Sequence, residues 1–211
     1  MENEAQARAY AEADFSAAHD RFVALFQECF PGEVVQGTVL DLGCGPGDVT
    51  RRFARACPDC CLEGVDGSAA MLAWGRRLIE AVRLSERIRL RQLYLPTSEL
   101  DGRAYDAVIS NSLLHHLHDP QVLWQTIRQT ARCGAPLFIM DLLRPASPAR
   151  AAELVTSYAG DEPGILQHDF YHSLLAAYRP EELRTQLQQA GLSGLNVETV
   201  SDRHLIVYGR C

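Results

Sequence analysis

Three glycines and two aspartates carry the most specific chemistry in the sequence. Val39-Leu-Asp-Leu-Gly-Cys-Gly-Pro-Gly-Asp48 reads as a buried strand that runs into a turn at Gly43, Gly45 and Gly47 and then into a helix. Glycine lets the backbone turn tightly and leaves room for a ligand against it. The start of the following helix offers unpaired N–H groups to an anion such as a carboxylate. Asp41 stands two residues before the first glycine, at the end of the strand. A carboxylate there would repel a pyrophosphate and attract an ammonium group. Asp66 closes the next apolar strand, at a separation suited to accepting both hydroxyls of a ribose. With Gly67-Ser68 behind it, Asp66 also fits as a helix-capping residue. The glycine pattern alone is weak, because a structural turn looks the same; the two acids in context give it meaning.

A second group lies further along. Ser110-Asn111, Leu114-His115-His116 and the run from Asp141 to Arg144 follow strand-like segments, and ligands of open α/β sheets bind beyond the carboxyl ends of the strands. Neutral imidazole suits a base near pH 7, so His115 and His116 are the candidate catalytic residues, with structural packing of at least one as the alternative. Tyr158, His168, Asp169, Tyr171 and His172 cluster in a proline-punctuated stretch. They read either as an acceptor-binding cover or as a lid helix with its polar face in water. Cys57 and Cys60 have the spacing of half a zinc site, but no partner pair accompanies them, so no metal site is expected.

The elements that must position these groups follow from periodicity. An N-terminal helix carries the stripe Phe22, Leu25, Phe26, Cys29, Phe30 and stops at Pro31-Gly32. Strands are expected at 38–42, 61–65, 88–93, 105–110 and 136–142. Helices fall between them: one over 48–56, one capped by Ser68, and one that starts at Asp119-Pro120 and ends at Gly134. A helix over 180–190 ends on Gly191. Strands over 195–200 and 204–208 are joined by three residues, too few for a crossover, so they pair antiparallel. The alternation predicts an α/β three-layer sandwich: a mostly parallel sheet with helices on both faces and right-handed crossovers. One domain over 1–211 is expected, with a helical cap over 1–37 and a helical insertion over 146–179 that covers the site.

Composition bounds the function. The 211 residues are 47% apolar or aromatic, enough for one domain with a sizeable core. No transmembrane stretch or signal peptide is read in the sequence, which makes a cytoplasmic location the expectation. Seven cysteines in a reducing compartment read as free thiols. A formal charge of −7 with scattered arginines weighs against a nucleic-acid substrate.

The segment from Val39 to Gly47 resembles the S-adenosylmethionine (SAM)-binding motif of class I methyltransferases. Gly64-Val-Asp-Gly-Ser-Ala-Ala-Met-Leu72 is similar to their second motif, and Tyr105-Asp-Ala-Val-Ile-Ser-Asn-Ser-Leu-Leu-His-His116 to that of their fourth strand. Pro136 to Arg144 is similar to their fifth strand. The resemblance implies a seven-stranded, Rossmann-like sheet with six parallel strands and the last reversed. It implies that Asp41, Gly43 and Gly45 contact the methionine part of SAM and that Cys44 and Gly47 shape the loop. Asp66 and Gly67 would lie at the ribose, Met71 against the adenine, and Asn111 near the methionine amino group. Relatives often place an acid after the third strand for the adenine amino group. This chain has Arg91-Gln-Leu-Tyr-Leu-Pro96 instead, leaving Gln92, Leu93 and Tyr94 for that contact. The N-terminal helix, with Tyr10 and Phe15, resembles the segment that closes over the cofactor in small-molecule methyltransferases; plain packing is the other reading. Tyr10, Phe15, Arg144, Tyr158, His168, Tyr171 and His172 are the candidate acceptor-binding residues. The implied function is methyl transfer by in-line displacement to a small-molecule acceptor, with no membrane partner. A methyltransferase acting on tRNA or protein, and a non-catalytic SAM-binding domain, are the alternatives. A nicotinamide enzyme is disfavoured by G-x-G-x-G in place of G-x-G-x-x-G, and by Asp41.

Overall fold

A computed structural model describes residues 15–211. Seven strands form one sheet in the order β3-β2-β1-β4-β5-β7-β6. They are β1 (Gly37–Leu42), β2 (Cys60–Asp66), β3 (Ile88–Gln92), β4 (Ala107–Asn111), β5 (Pro136–Leu142), β6 (Asn196–Thr199) and β7 (His204–Arg210). The pairs among β1 to β5 are parallel, whereas β7 runs antiparallel to both β5 and β6. The expected sheet of six parallel strands with the last reversed is the one observed.

Two-residue periodicity sorts the core onto the two faces of the sheet. Val39, Ala107, Ile109, Phe138, Met140 and Ile206 face one cluster. There they meet α1 (Ser16–Cys29), α2 (Asp48–Ala56) and α3 (Ala69–Ala81). Leu40, Leu42, Val108, Leu137, Ile139 and Val207 face the other. It is covered by α4 (Gln121–Thr130) and α7 (Pro180–Gln189), which Trp124 ties together through a 2.9 Å bond from Nε1 to Gln186 Oε1. Every residue of β5 is buried, as an interior strand covered on both faces requires. Phe138 receives Phe22 and Phe26 edge-on at 4.9 and 5.8 Å between ring centres. Such edge-to-face pairs add about 0.5–1.5 kcal/mol each beyond their buried area, and these fix α1 against the sheet.

The helix expected to run from Pro120 to Gly134 ends at Thr130 instead. Residues 131–135 are turned by Tyr105, whose N–H donates to Thr130 O and whose carbonyl accepts from Arg132 N. This pairing with the start of the β4 segment replaces another helical turn. Tyr105 itself makes only an isolated bridge, so β4 begins at Ala107 rather than at 105. The insertion is helical, comprising α5 (Pro148–Ala159) and α6 (Gly164–Ala176), with a small core of Ala151, Leu154, Val155 and Leu174 against Leu142. That core seats the pair above the carboxyl end of β5.

Candidate active site

Beyond the carboxyl ends of the parallel strands lies a cavity of about 960 Å³. Its floor is the glycine turn and the exits of β2 and β4; α1, α5, α6 and the start of β7 form its walls.

The floor is held by backbone geometry that requires glycine. Gly43 has φ +73, and a Cβ there would come within 2.7 Å of the Leu113 side chain. Gly45 (φ +53) faces open space, and Gly47 (φ +72) caps α2 in the left-handed conformation. Gly43 N and Cys44 N donate to Val65 O at 2.8 and 3.1 Å, which holds the turn against β2. Asp66 Oδ2 accepts from Gly45 N at 2.9 Å and Oδ1 from Ser68 N at 2.7 Å. The aspartate thus locks the glycine loop to the head of α3, while Ser68 caps that helix through Met71 N. Asp66 also lines the cavity, while the helix cap expected of it is supplied by Ser68.

Asp41 is 1% exposed. Thr50 Oγ1 donates to its Oδ2 at 2.6 Å, and its Oδ1 has no hydrogen-bond partner. A buried carboxylate oxygen without a partner carries a large desolvation cost. Burial, opposed by the Thr50 bond and reinforced by the charge of Asp66, raises this carboxyl to about 7. It lines the cavity, so a cationic hydrogen-bond donor placed there would satisfy the oxygen and restore the charge.

Asp141 arranges the β4 exit from the neighbouring strand. Its carboxylate accepts from Leu114 N at 2.8 Å, from Leu142 N at 2.7 Å and from His115 Nδ1–H at 2.6 Å. His115 is thereby buried and fixed, and its ring stacks at 4.1 Å on His116. His116 opens into the cavity; desolvation by the surrounding atoms, then His115, lowers it to about 4. It is therefore a neutral imidazole at pH 7. Ser112, between them and β4, holds φ +57, a conformation that L residues seldom adopt.

The cavity brings together Asp41, Gly43, Cys44, Gly45, Asp66, Gly67, Met71, Leu93, Tyr94, Asn111, His115, His116, Phe15, Tyr158 and His172. Others of the expected residues stand behind or away from the walls. Gly47 supports the loop from the helix side. Gln92 Nε2 donates to Gly67 O at 3.0 Å, so it braces that turn. Arg144 does not face the cavity: its Nε donates to Ala177 O and its guanidinium pairs with Glu182, tying β5 to α7. Tyr171 packs on the small core of the insertion, and His168 is exposed with its ring 4.4 Å from that of His172. Tyr10 lies outside the described residues.

Sequence reasoning passed over His19, Asp48, Glu162, Arg203 and His204, all of which line the cavity. His19 is buried and donates from Nδ1 to Asp48 Oδ2 at 2.7 Å. Burial would raise the Asp48 carboxyl, but the bonds from His19 and Arg52 prevail and hold it well below the carboxylate range. The signal for His19 was its place three residues before Phe22, on the buried stripe of α1. Arg203 and His204 were signalled by topology: a reversed final strand must start where the parallel strands end.

The comparisons agree with this architecture. Residues 39–136 match the methyltransferase domain family. An uncharacterised methyltransferase of Mycobacterium tuberculosis is 29% identical over 136 residues, 64% of this chain and 61% of that protein. The matched stretch thus spans under two thirds of that relative's length. The ubiquinone biosynthesis O-methyltransferase of Acinetobacter baumannii is 27% identical over 174 residues, 79% of this chain and 70% of that one. The crystal structure of a SAM-dependent methyltransferase from Aquifex aeolicus superposes with a TM-score of 0.70 at 16% identity, covering 96% of both chains. With residues 39–136 matching the methyltransferase domain and with its complete seven-stranded sheet, the chain has the class I, Rossmann-like fold of the SAM-dependent methyltransferases it resembles.

Proposed function

We propose that this protein binds SAM across the glycine turn and transfers its methyl group to a small-molecule acceptor held under α5 and α6. The observation that carries this reading is the unpartnered Oδ1 of Asp41 at the floor of the cavity. An ammonium group such as that of a bound methionine moiety suits it in charge and in hydrogen bonding. Asp66, which lines the cavity, would accept from the ribose hydroxyls, and Met71, Leu93 and Tyr94 would flank the adenine. SAM supplies a methyl group already activated on a sulfonium, so alignment of the acceptor is the main task left to the protein.

The walls suit that task. Met140, Leu142, Leu166 and Phe170 exclude water, and the fixed pair His115–Asp141 sets the ring of His116 at the β4 exit. Neutral His116 can take a proton from an acceptor that carries one. His115, buried and bonded to Asp141, positions its neighbour. The ubiquinone-pathway relative, an O-methyltransferase by name, supports a small organic acceptor. The direct experiment incubates the purified protein with SAM and a panel of small-molecule acceptors. Mass spectrometry then reads a product about 14 Da heavier than its acceptor together with S-adenosylhomocysteine (SAH). Methylation of tRNA or protein but of no small molecule would overturn the acceptor class.

A further inference from the structure

A cationic side chain lines the cavity at the start of β7. Arg203 is the only lysine or arginine among the described residues that line the cavity. Its guanidinium lies over the ring of Tyr158 at 3.3 Å from the centroid, a cation–π contact that fixes the plane of the fork. Tyr158, at the end of α5, is held in turn by a 3.0 Å bond from its hydroxyl to Asp202 Oδ2. Leu143 N donates to Arg203 O at 2.8 Å, which anchors the backbone beside the end of β5.

The fork is not saturated. Arginine carries five N–H donors. One nitrogen, Nη1, reaches Asp202 Oδ1 at a long 3.2 Å; Nε and Nη2 have no hydrogen-bond partner among the described residues. Asp202 is itself shared, since its Oδ2 takes the Tyr158 hydroxyl and lies 3.6 Å from Arg150. The cation is therefore incompletely compensated, and its side chain is only 22% exposed. Of the histidines that line the cavity, His116 and His204 are lowered by burial to about 4 and add no charge at pH 7. The acids Glu162 and Asp169 belong to the insertion side, where Asp169 has His168 at 3.7 Å. Among the described lining residues the one guanidinium thus stands at the start of β7, and Glu162 and Asp169 lie on the insertion. Between them the surface is apolar and aromatic: Leu142, Leu166 and Phe170.

We infer that the acceptor is a small apolar or aromatic molecule bearing a carboxylate, and that Arg203, steadied by Tyr158, binds that carboxylate. A planar carboxylate matches the free edge of the guanidinium with two parallel hydrogen bonds. The opposite end of the molecule then lies toward His116 and the glycine turn. The inference rests on reading this space as the acceptor chamber.

The test uses the full chain, free and SAH-loaded, titrated with 4-hydroxybenzoate and with its neutral isostere 4-hydroxybenzamide, and followed by ligand-observed NMR. The acid is expected to bind at least tenfold more tightly than the amide. Arg203→Gln should abolish that preference and leave SAH affinity within twofold, and Arg203→Lys should keep part of it. No preference for the acid in the natural chain, or a preference undiminished in Arg203→Gln, overturns the inference. The natural-chain comparison needs no variant to fold. Failure to bind SAH would strike the proposed function alone, because the acid–amide comparison on the free chain still decides the role of Arg203.

Discussion

Thr50 Oγ1 donates to Asp41 Oδ2 across 2.6 Å, and the other oxygen of the same carboxylate is left buried without a partner. One residue of α2 therefore half-satisfies an acid of β1 that lines the cavity. The arrangement is costly to the empty protein and useful to a protein that receives a cation.

The cost has a pH signature. The carboxyl is raised to about 7 in the folded chain, chiefly by burial, against about 3.9 for an unfolded aspartate. A raised folded-state pKa means that the folded chain holds the proton more tightly. Its stabilising contribution is complete below about pH 4 and is lost as the pH rises through about 7. Asp41→Asn should therefore be more stable than the natural chain at pH 8, by on the order of 2 kcal/mol, and nearly equal to it at pH 4. Urea denaturation of both proteins at the two pH values measures this. An equal gap at pH 4 and pH 8 would contradict it. The same variant should bind SAH at least tenfold more weakly.

Asp66 is predicted to serve the cofactor through two routes, its own contact and the loop it holds by Gly45 N and Ser68 N. Asp66→Ala should lower SAH affinity at least tenfold, whereas His172→Ala should leave it within about twofold. Isothermal titration distinguishes them. Unchanged affinity in Asp66→Ala would mean that the cofactor lies elsewhere.

The two adjacent histidines should separate by phenotype. His115 is buried on Asp141, so His115→Ala removes one half of a buried pair and should cost about 2–4 kcal/mol of stability. His116→Ala should melt within a degree or two of the natural protein and reduce turnover. With His116 lowered to about 4, turnover at saturating SAM, whose ammonium group keeps Asp41 ionised, should be flat from pH 6 to 8 and fall only as His116 takes a proton at more acidic pH. A loss of turnover centred between pH 6 and 7 would contradict its assignment as the neutral base.

His19 should couple the first helix to the loop. His19→Ala breaks the 2.7 Å bond to Asp48, leaving Arg51 and Arg52 to hold that carboxylate. A three- to tenfold loss of SAH affinity with little change in melting temperature is expected. A large loss of stability instead would make the bond purely structural.

The legible parts of the sequence were those with local causes. Asp48–Ala56 and Pro136–Leu142 were read to the residue, because a glycine turn fixes one and an unbroken apolar run fixes the other. The reversal of β7 followed from a loop too short to cross over. The misread end of α4 had a non-local cause: Tyr105, twenty-five residues away, captures Thr130 O. Arg144 misled for a similar reason. It follows β5 as a site residue would, yet the carbonyl of Ala177 and the carboxylate of Glu182 draw it toward α7. His19, Arg203 and His204 enter the cavity only once α1 and β7 are folded against it, and no spacing between them and the glycine motif encodes that approach.

Calorimetric titration of the natural protein with SAM, SAH, NAD and NADP decides whether the glycine turn holds SAM. Micromolar binding of the two adenosyl-sulfur ligands and none of the dinucleotides is expected. Binding of a dinucleotide with no response to SAM or SAH would contradict it.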